Sequence, residues 1–254
     1  MSVIVTCNIG GESIRLDLDS DVEGTDGRNY ELWRANTYAV KEPDTLQWID
    51  TFFQPGEVIY DIGANIGQYA LYAAKKLKGQ ATILAFEPEA LNYAKLNKNI
   101  VLNGLSGLVI PFCLAISDRL ALERFYAINF TPGASLHALG RTITQGEVSF
   151  SPKNEQGMMT LSLDDLTGRF ALPFPNHIKV DVDGIEDRIV SGADQTLSDP
   201  RLRTFLIEVY MHGEIAAQIK AAFFAHGFKL RNAKVIDYSP GVVQNLIFSR
   251  VPGR

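Results

Sequence analysis

From about Glu57 onward the chain alternates short, β-rich apolar runs with longer segments of helical spacing, and this rhythm constrains its fold more than any other feature. Strands joined by crossover helices pair in parallel, and a parallel sheet has to be covered on both faces. VIYDIG reads as the first core strand, and QYALYAAKKLK as a helix stopped near Gly79. TILAFE is a second strand. PEALNYAKLNKNIVLNG is a helix with Pro88 near its start and Gly104 as its stop, and LVIPFCLAIS is a third strand. The stretch from Asp118 to about Met158 is broken by Gly and Pro, so short strands or a substrate-facing insertion are expected there. HIKVDV, the short helix IEDRIVSGA, TFLIEVY and the helix GEIAAQIKAAFFAHG resume the pattern. FKLRNAKVIDYS and VVQNLIFSR read as an antiparallel pair closing the sheet edge, which brings the count to seven strands. Ahead of them, IVTCNIGGESIRLDL suggests a hairpin and PDTLQWIDTFF a helix, so residues 1–54 are expected to form a small cap and residues 55–254 the main domain.

Charge and composition narrow the partners. Asp and Glu outnumber Lys and Arg by 29 to 24, a poor basis for binding phosphate backbones, so nucleic acid is not expected. No run approaches 18 uninterrupted apolar residues and no basic segment precedes an apolar one at the start, so a cytoplasmic protein without membrane insertion is expected. Cys7 and Cys113 are too few and too far apart for a disulfide framework or a CxxC pair, and read as free thiols.

In open parallel sheets, ligands bind beyond the carboxyl ends of the strands. DIGANIG lies at such a strand-to-helix turn. Gly63 and Gly67 allow a sharp bend and a close approach of ligand to backbone, the following helix N-terminus suits an anion, and Asp61 suits an ammonium group. The spacing is not the G-x-G-x-x-G of dinucleotide sites, which weakens a pyrophosphate reading. Glu87 closes the next strand, where an acid can accept hydrogen bonds from both hydroxyls of a ribose.

Taken in order, VIYDIGANIGQYALYAA, AFEPEALNYAKLNKNIVLNGL, LAISD, LSLDDL and IKVDVDGIE resemble the signature blocks of the FkbM family of S-adenosylmethionine-dependent methyltransferases, over roughly residues 38–250. Asp183 stands where Glu is common in that family's last block. The resemblance implies a Rossmann-like class I methyltransferase fold: an α/β protein with a seven-stranded, mostly parallel sheet, helices on both faces and an antiparallel strand inserted near one edge. It implies that Asp61, Gly63, Asn65 and Gly67 surround the methionine moiety, with Ala64 and Pro88 beside them, that Glu87 holds the ribose, and that Ala115, Ile116 and Ser117 border the adenine.

Methyl transfer from a sulfonium needs an acceptor atom held in line, and a hydroxyl acceptor must also lose a proton. Asp181 and Asp183, two apart at a strand end, and Glu208 at the end of the neighbouring strand are expected to form one acidic cluster over the sulfonium. Asp183 could instead cap the helix that follows, and Lys179 could pair with Asp181. His137 and His212 are further base candidates, while His177 and His226 read as structural. DVDGIED is not a calcium loop, because Lys179 and Val190 would occupy its first and last ligand positions. A carboxylate base is preferred to magnesium held by Asp181 and Glu208, since no third protein ligand is evident beyond Asp183. The expected acceptor is a hydroxylated small molecule, glycan or lipid-like compound. A catalytically silent nucleoside-binding protein and a nicotinamide-dependent oxidoreductase are the alternatives.

Overall fold

The computed structural model describes residues 1–143, 149–211, 214–235 and 243–250, with the backbone alone for 232–235. A hairpin of β1 (Ser2–Ile9) and β2 (Glu12–Asp19) leads into α1 (Tyr30–Thr37) and α2 (Pro43–Phe52). The central region runs β3 (Val58–Ile62), α3 (Gln68–Lys76), β4 (Thr82–Phe86), α4 (Ala90–Leu102) and β5 (Val109–Phe112). It continues through the small strands β6 (Ala115–Ile116), β7 (Ala121–Ala127), β8 (Ala138–Leu139) and β9 (Asn154–Leu161). Then come β10 (His177–Val180), α5 (Glu186–Ser191), α6 (Asp194–Ser198), β11 (Thr204–Tyr210), α7 (Ile215–Ala225), β12 (Lys229–Val235) and β13 (Val243–Ser249).

The main sheet has seven strands in the order β12-β13-β11-β10-β3-β4-β5. All neighbours from β11 to β5 are parallel, and β13 runs antiparallel between β11 and β12. The seven expected strands are therefore present, and the last pair lies as expected except that β13 sits one place in from the edge. Alternation along β3 sorts the core: Ile59 packs on one face with the hairpin's Ile14, Leu16 and Leu18, with Trp48 of α2 and with α3 and α4. Tyr60 and Ile62 pack on the other with Phe86, Ile178, Ile189, Phe205 and Phe223.

Three expectations are corrected. LVIPFCLAIS is not one strand: it breaks after Phe112, and Ala115–Ile116 joins a separate four-stranded sheet, β6-β9-β7-β8, built from the stretch read as irregular. Helix α1 was not expected at all; its N-cap is Asn29, whose side chain accepts from Leu32 N–H at 2.8 Å. Asp183 does not cap α5, whose N-cap is Ile185 without a side-chain bond.

Candidate active site

The turn after β3 is built on left-handed backbone, with φ of +80° at Gly63, +50° at Asn65 and +95° at Gly67. A Cβ at Gly63 would collide with the Asp181 carbonyl, and one at Gly67 would stand 2.6 Å from Leu96 Cδ1. What these glycines clear is the neighbouring strand and α4; Gly63 also lines the cavity described next, and Gly67 does not. The Gly63 and Ala64 amides donate to Phe86 O at 2.9 and 3.0 Å, which fixes the turn against β4. Asn65 Nδ2 donates to Ala134 O at 2.9 Å and ties the turn to the loop before β8.

A cavity of about 630 Å³ opens over the carboxyl ends of β3, β4, β10 and β11. Its lining includes Gly63, Ala64, Asn65, Glu87 and Pro88 together with Asp181, Asp183, Glu208 and His137. Glu87 is buried, with Oε2 accepting from Asn65 N–H at 2.7 Å and Oε1 from Glu89 N–H at 2.8 Å. Each oxygen keeps a lone pair for a further donor. Burial, reinforced by the Glu89 charge, pushes the Glu87 carboxyl up to about 8 despite those two bonds. A narrow, mainly apolar slot joins the cavity at Gly63, Pro88 and His137 and is lined further by Ala115, Ile116, Leu139 and Ile185. Ser117 faces away from it, buried, with its amide donating to Leu161 O at 2.8 Å. Asp61 is buried beside Lys179, its register partner on β10, and does not line the cavity.

Across the cavity, Lys179 Nζ lies 3.0 Å from Asp181 Oδ2. Burial works to raise the Asp181 carboxyl, but Lys179, Lys41 and Arg34 together hold it below the usual range. Asp183, at φ +64°, accepts from Leu136 N–H at 2.6 Å through Oδ2, and burial beside Asp181 lifts it to about 6. Burial and the neighbouring Asp181 and Glu42 charges push Glu208 well up, and its Oε2 has no hydrogen-bond partner. His137 is 6% exposed, and burial with the Arg34 charge lowers it to about 4 against a backbone hydrogen bond at Ala134 that works to raise it.

The sequence reading missed the contribution of residues 30–42. Arg34 and Lys41 line the cavity, and Glu42, at the start of α2, places a carboxylate oxygen within 4.8 Å of Asp181 and Glu208. Arg34 is anchored by Nε donating to Gly133 O at 2.6 Å, and Lys41 pairs with Glu42 at 2.7 Å. No spacing rule links a residue near position 40 to strands that follow much later; the one available signal was a Lys-Glu-Pro triplet at a helix start. His177 is structural, at the opposite end of the sheet, with its ring nitrogens on Thr204 Oγ1 at 2.6 Å and Glu57 Oε2 at 2.8 Å. His226 bonds Ala222 O at 2.8 Å, and His212 lies outside the described residues.

The chain has known relatives. The sequence profile of the methyltransferase FkbM domain matches residues 61–230. The 31-O-demethyl-FK506 methyltransferase FkbM of Streptomyces tacrolimicus is 28% identical over 198 residues, covering 69% of this chain and 74% of that protein. The hexuronic acid methyltransferase AglP of Haloferax volcanii is 27% identical over 167 residues, covering 66% of this chain and 62% of that protein. Among solved structures, a methyltransferase FkbM from Methylobacillus flagellatus KT superposes with a TM-score of 0.55 at 13% identity, over 87% of this chain and 55% of that one, a likeness of fold. No described helix is long and apolar enough to cross a membrane. With its Rossmann-like class I sheet and a profile match spanning most of its length, the chain belongs to the FkbM methyltransferase-domain family.

Proposed function

We propose that the chain transfers the methyl group of S-adenosylmethionine to a hydroxyl of a small-molecule or glycan acceptor. The observation that carries this reading is the pairing, in one cavity, of a buried strand-end carboxylate, Glu87, with an acidic wall formed by Asp181, Asp183 and Glu208. Glu87 accepts the two ribose hydroxyls on the lone pairs left by Asn65 and Glu89, and the slot walled by Ala115 and Ile116 takes the adenine. Gly63, Ala64 and Asn65 run alongside the methionine part. Asp181, kept charged by Lys179, faces the sulfonium, where negative charge favours a cationic cofactor. His137, which lines both the cavity and the slot and is lowered by burial to about 4, is one candidate to take the acceptor's proton, beside Asp181 and Glu208.

The acceptor class is supported by two relatives whose names specify an O-demethyl compound, 31-O-demethyl-FK506, and a hexuronic acid. Both bear oxygen nucleophiles. Residues 30–42, which close the acceptor side, are then the part that selects the substrate.

Calorimetry tests the reading directly. S-adenosylhomocysteine should bind to the purified protein and NADH should not, and labelled methyl should pass from S-adenosylmethionine to an alcohol acceptor. Binding with no transfer to any hydroxylated panel compound would leave a silent nucleoside-binding protein. Tight NADH binding would point to oxidoreduction instead.

A further inference from the structure

We propose that Glu42, Asp181 and Glu208 form a binding site for one divalent, oxygen-preferring cation such as magnesium or manganese. Each offers a carboxylate oxygen, and the three oxygens lie within 4.8 Å of one another. Oxygen ligands about 2.0–2.6 Å from such an ion stand roughly 3–5 Å apart, so one ion can touch all three with little movement. An all-oxygen donor set selects magnesium, manganese or calcium over zinc or copper.

One observation outside the triad points the same way. Asn245 is the cross-strand partner of Glu208 between β11 and β13, so its side chain shares that face of the sheet; it is 1% exposed, and its Nδ2 has no partner. The facing Glu208 Oε2 is also buried and unpartnered. An amide presents its oxygen as readily as its nitrogen after a flip, so Asn245 can support the ion or a water bound to it.

An opposite charge favours the ionised form of a carboxylate, so a bound divalent ion would hold Glu42, Asp181 and Glu208 charged together. Lys41 and Lys179 remain on the outer side of Glu42 and Asp181, at 2.7 and 3.0 Å, and orient those carboxylates. The use of the ion rests on the methyl-transfer reading: when bound it would hold the acceptor hydroxyl and lower its pKa. Its binding does not depend on that reading.

The test titrates chelator-treated full-length protein with manganese chloride. Free manganese is followed by electron paramagnetic resonance and heat by calorimetry, each with and without S-adenosylhomocysteine. One ion per chain, displaced by magnesium, is expected. Glu42→Gln and Glu208→Gln should each weaken binding about tenfold or more, while melting curves confirm that the variants remain folded. Should Glu42→Gln not fold, Glu208→Gln decides. Absence of saturable binding up to several millimolar manganese, or unchanged affinity in Glu208→Gln, overturns the site. S-adenosylhomocysteine binding without manganese binding sinks the metal site and leaves the methyl-transfer reading standing; manganese binding without S-adenosylhomocysteine binding does the reverse.

Discussion

At Gly63 the backbone and its surroundings impose the same requirement: φ is +80°, and the missing Cβ leaves room for the Asp181 carbonyl. Gly63→Ala and Gly67→Ala should therefore each destabilise the fold by about 2–4 kcal/mol, read as a shift of the urea midpoint, whether or not cofactor is present. Loss of cofactor affinity at unchanged stability would contradict this. Glu87 carries a different prediction. Glu87→Gln should weaken S-adenosylhomocysteine binding about ten- to a hundredfold, the value of hydrogen bonds to a charged acceptor. Because burial raises the empty-site carboxyl to about 8, the free protein holds a proton there at neutral pH. Two ribose hydroxyls donate to the ionised form, so binding releases that proton. Affinity should then rise with pH and level off above about 8, and this rise should be absent in Glu87→Gln. Taken alone, the same raised value makes a contribution to folding that is present below the unfolded pKa and lost as pH climbs through about 8. Glu87, Asp181, Asp183 and Glu208 were legible because strand ends in a parallel sheet point at the ligand crevice. Arg34, Glu42 and Asn245 were not, because their place depends on chain segments packing together from far apart in sequence.

Among the elements, one cation links the hairpin and α1 to α4. Lys95 of α4 reaches Asp17 at 2.7 Å, Asp19 at 3.1 Å and Glu31 at 3.5 Å, and so joins β2, α1 and α4. Lys95→Met would leave three carboxylates facing one another. Since Asp17 and Asp19 keep some solvent, the expected loss is about 2–3 kcal/mol, at or below the usual figure for a broken buried pair, and thermal or urea unfolding would measure it. Because α1 also carries Arg34, the variant should lose cofactor affinity as well; a change in stability alone would show that α1 keeps its place without this anchor. The helices α2, α3, α4 and α7 were readable from their periodicity and their Pro and Gly punctuation. Helix α1 was not, since YELWRANT is only eight residues long and mostly polar; Asn29, which also donates to Asp19 O at 2.8 Å, and Lys95 help to position it. The second sheet escaped for a related reason: β6 and β8 are two residues each, too short for an alternating pattern to register.

For the whole molecule, the hydrophobic cluster that contains Ile59, Ala70, Leu71 and Ala85 also contains Ile14, Leu16, Leu18, Trp48 and Ile49. The division at residue 54 into a cap and a main domain is accordingly proposed as one of chain order, with no independent fold on either side. Removing residues 1–54 would uncover the α3 and α4 face of the sheet, and the remainder should lose its near-ultraviolet dichroism and cooperative melting. A truncated protein that melts as sharply as the parent would make the first 54 residues a dispensable appendage. The strand order has a further consequence, for synthesis. β13 sits between β11 and β12, both of which precede it in the chain, so during translation β11 presents an unpaired edge and β12 has no neighbour in the sheet. The sheet can close only when residues as late as Val243–Ser249 have left the ribosome, which keeps Phe205, Ile207 and Phe248 from their final packing until then. A nascent chain stalled ahead of β13 should therefore be protease-sensitive and retained by chaperones, and release of those seven residues should be the event that makes it resistant.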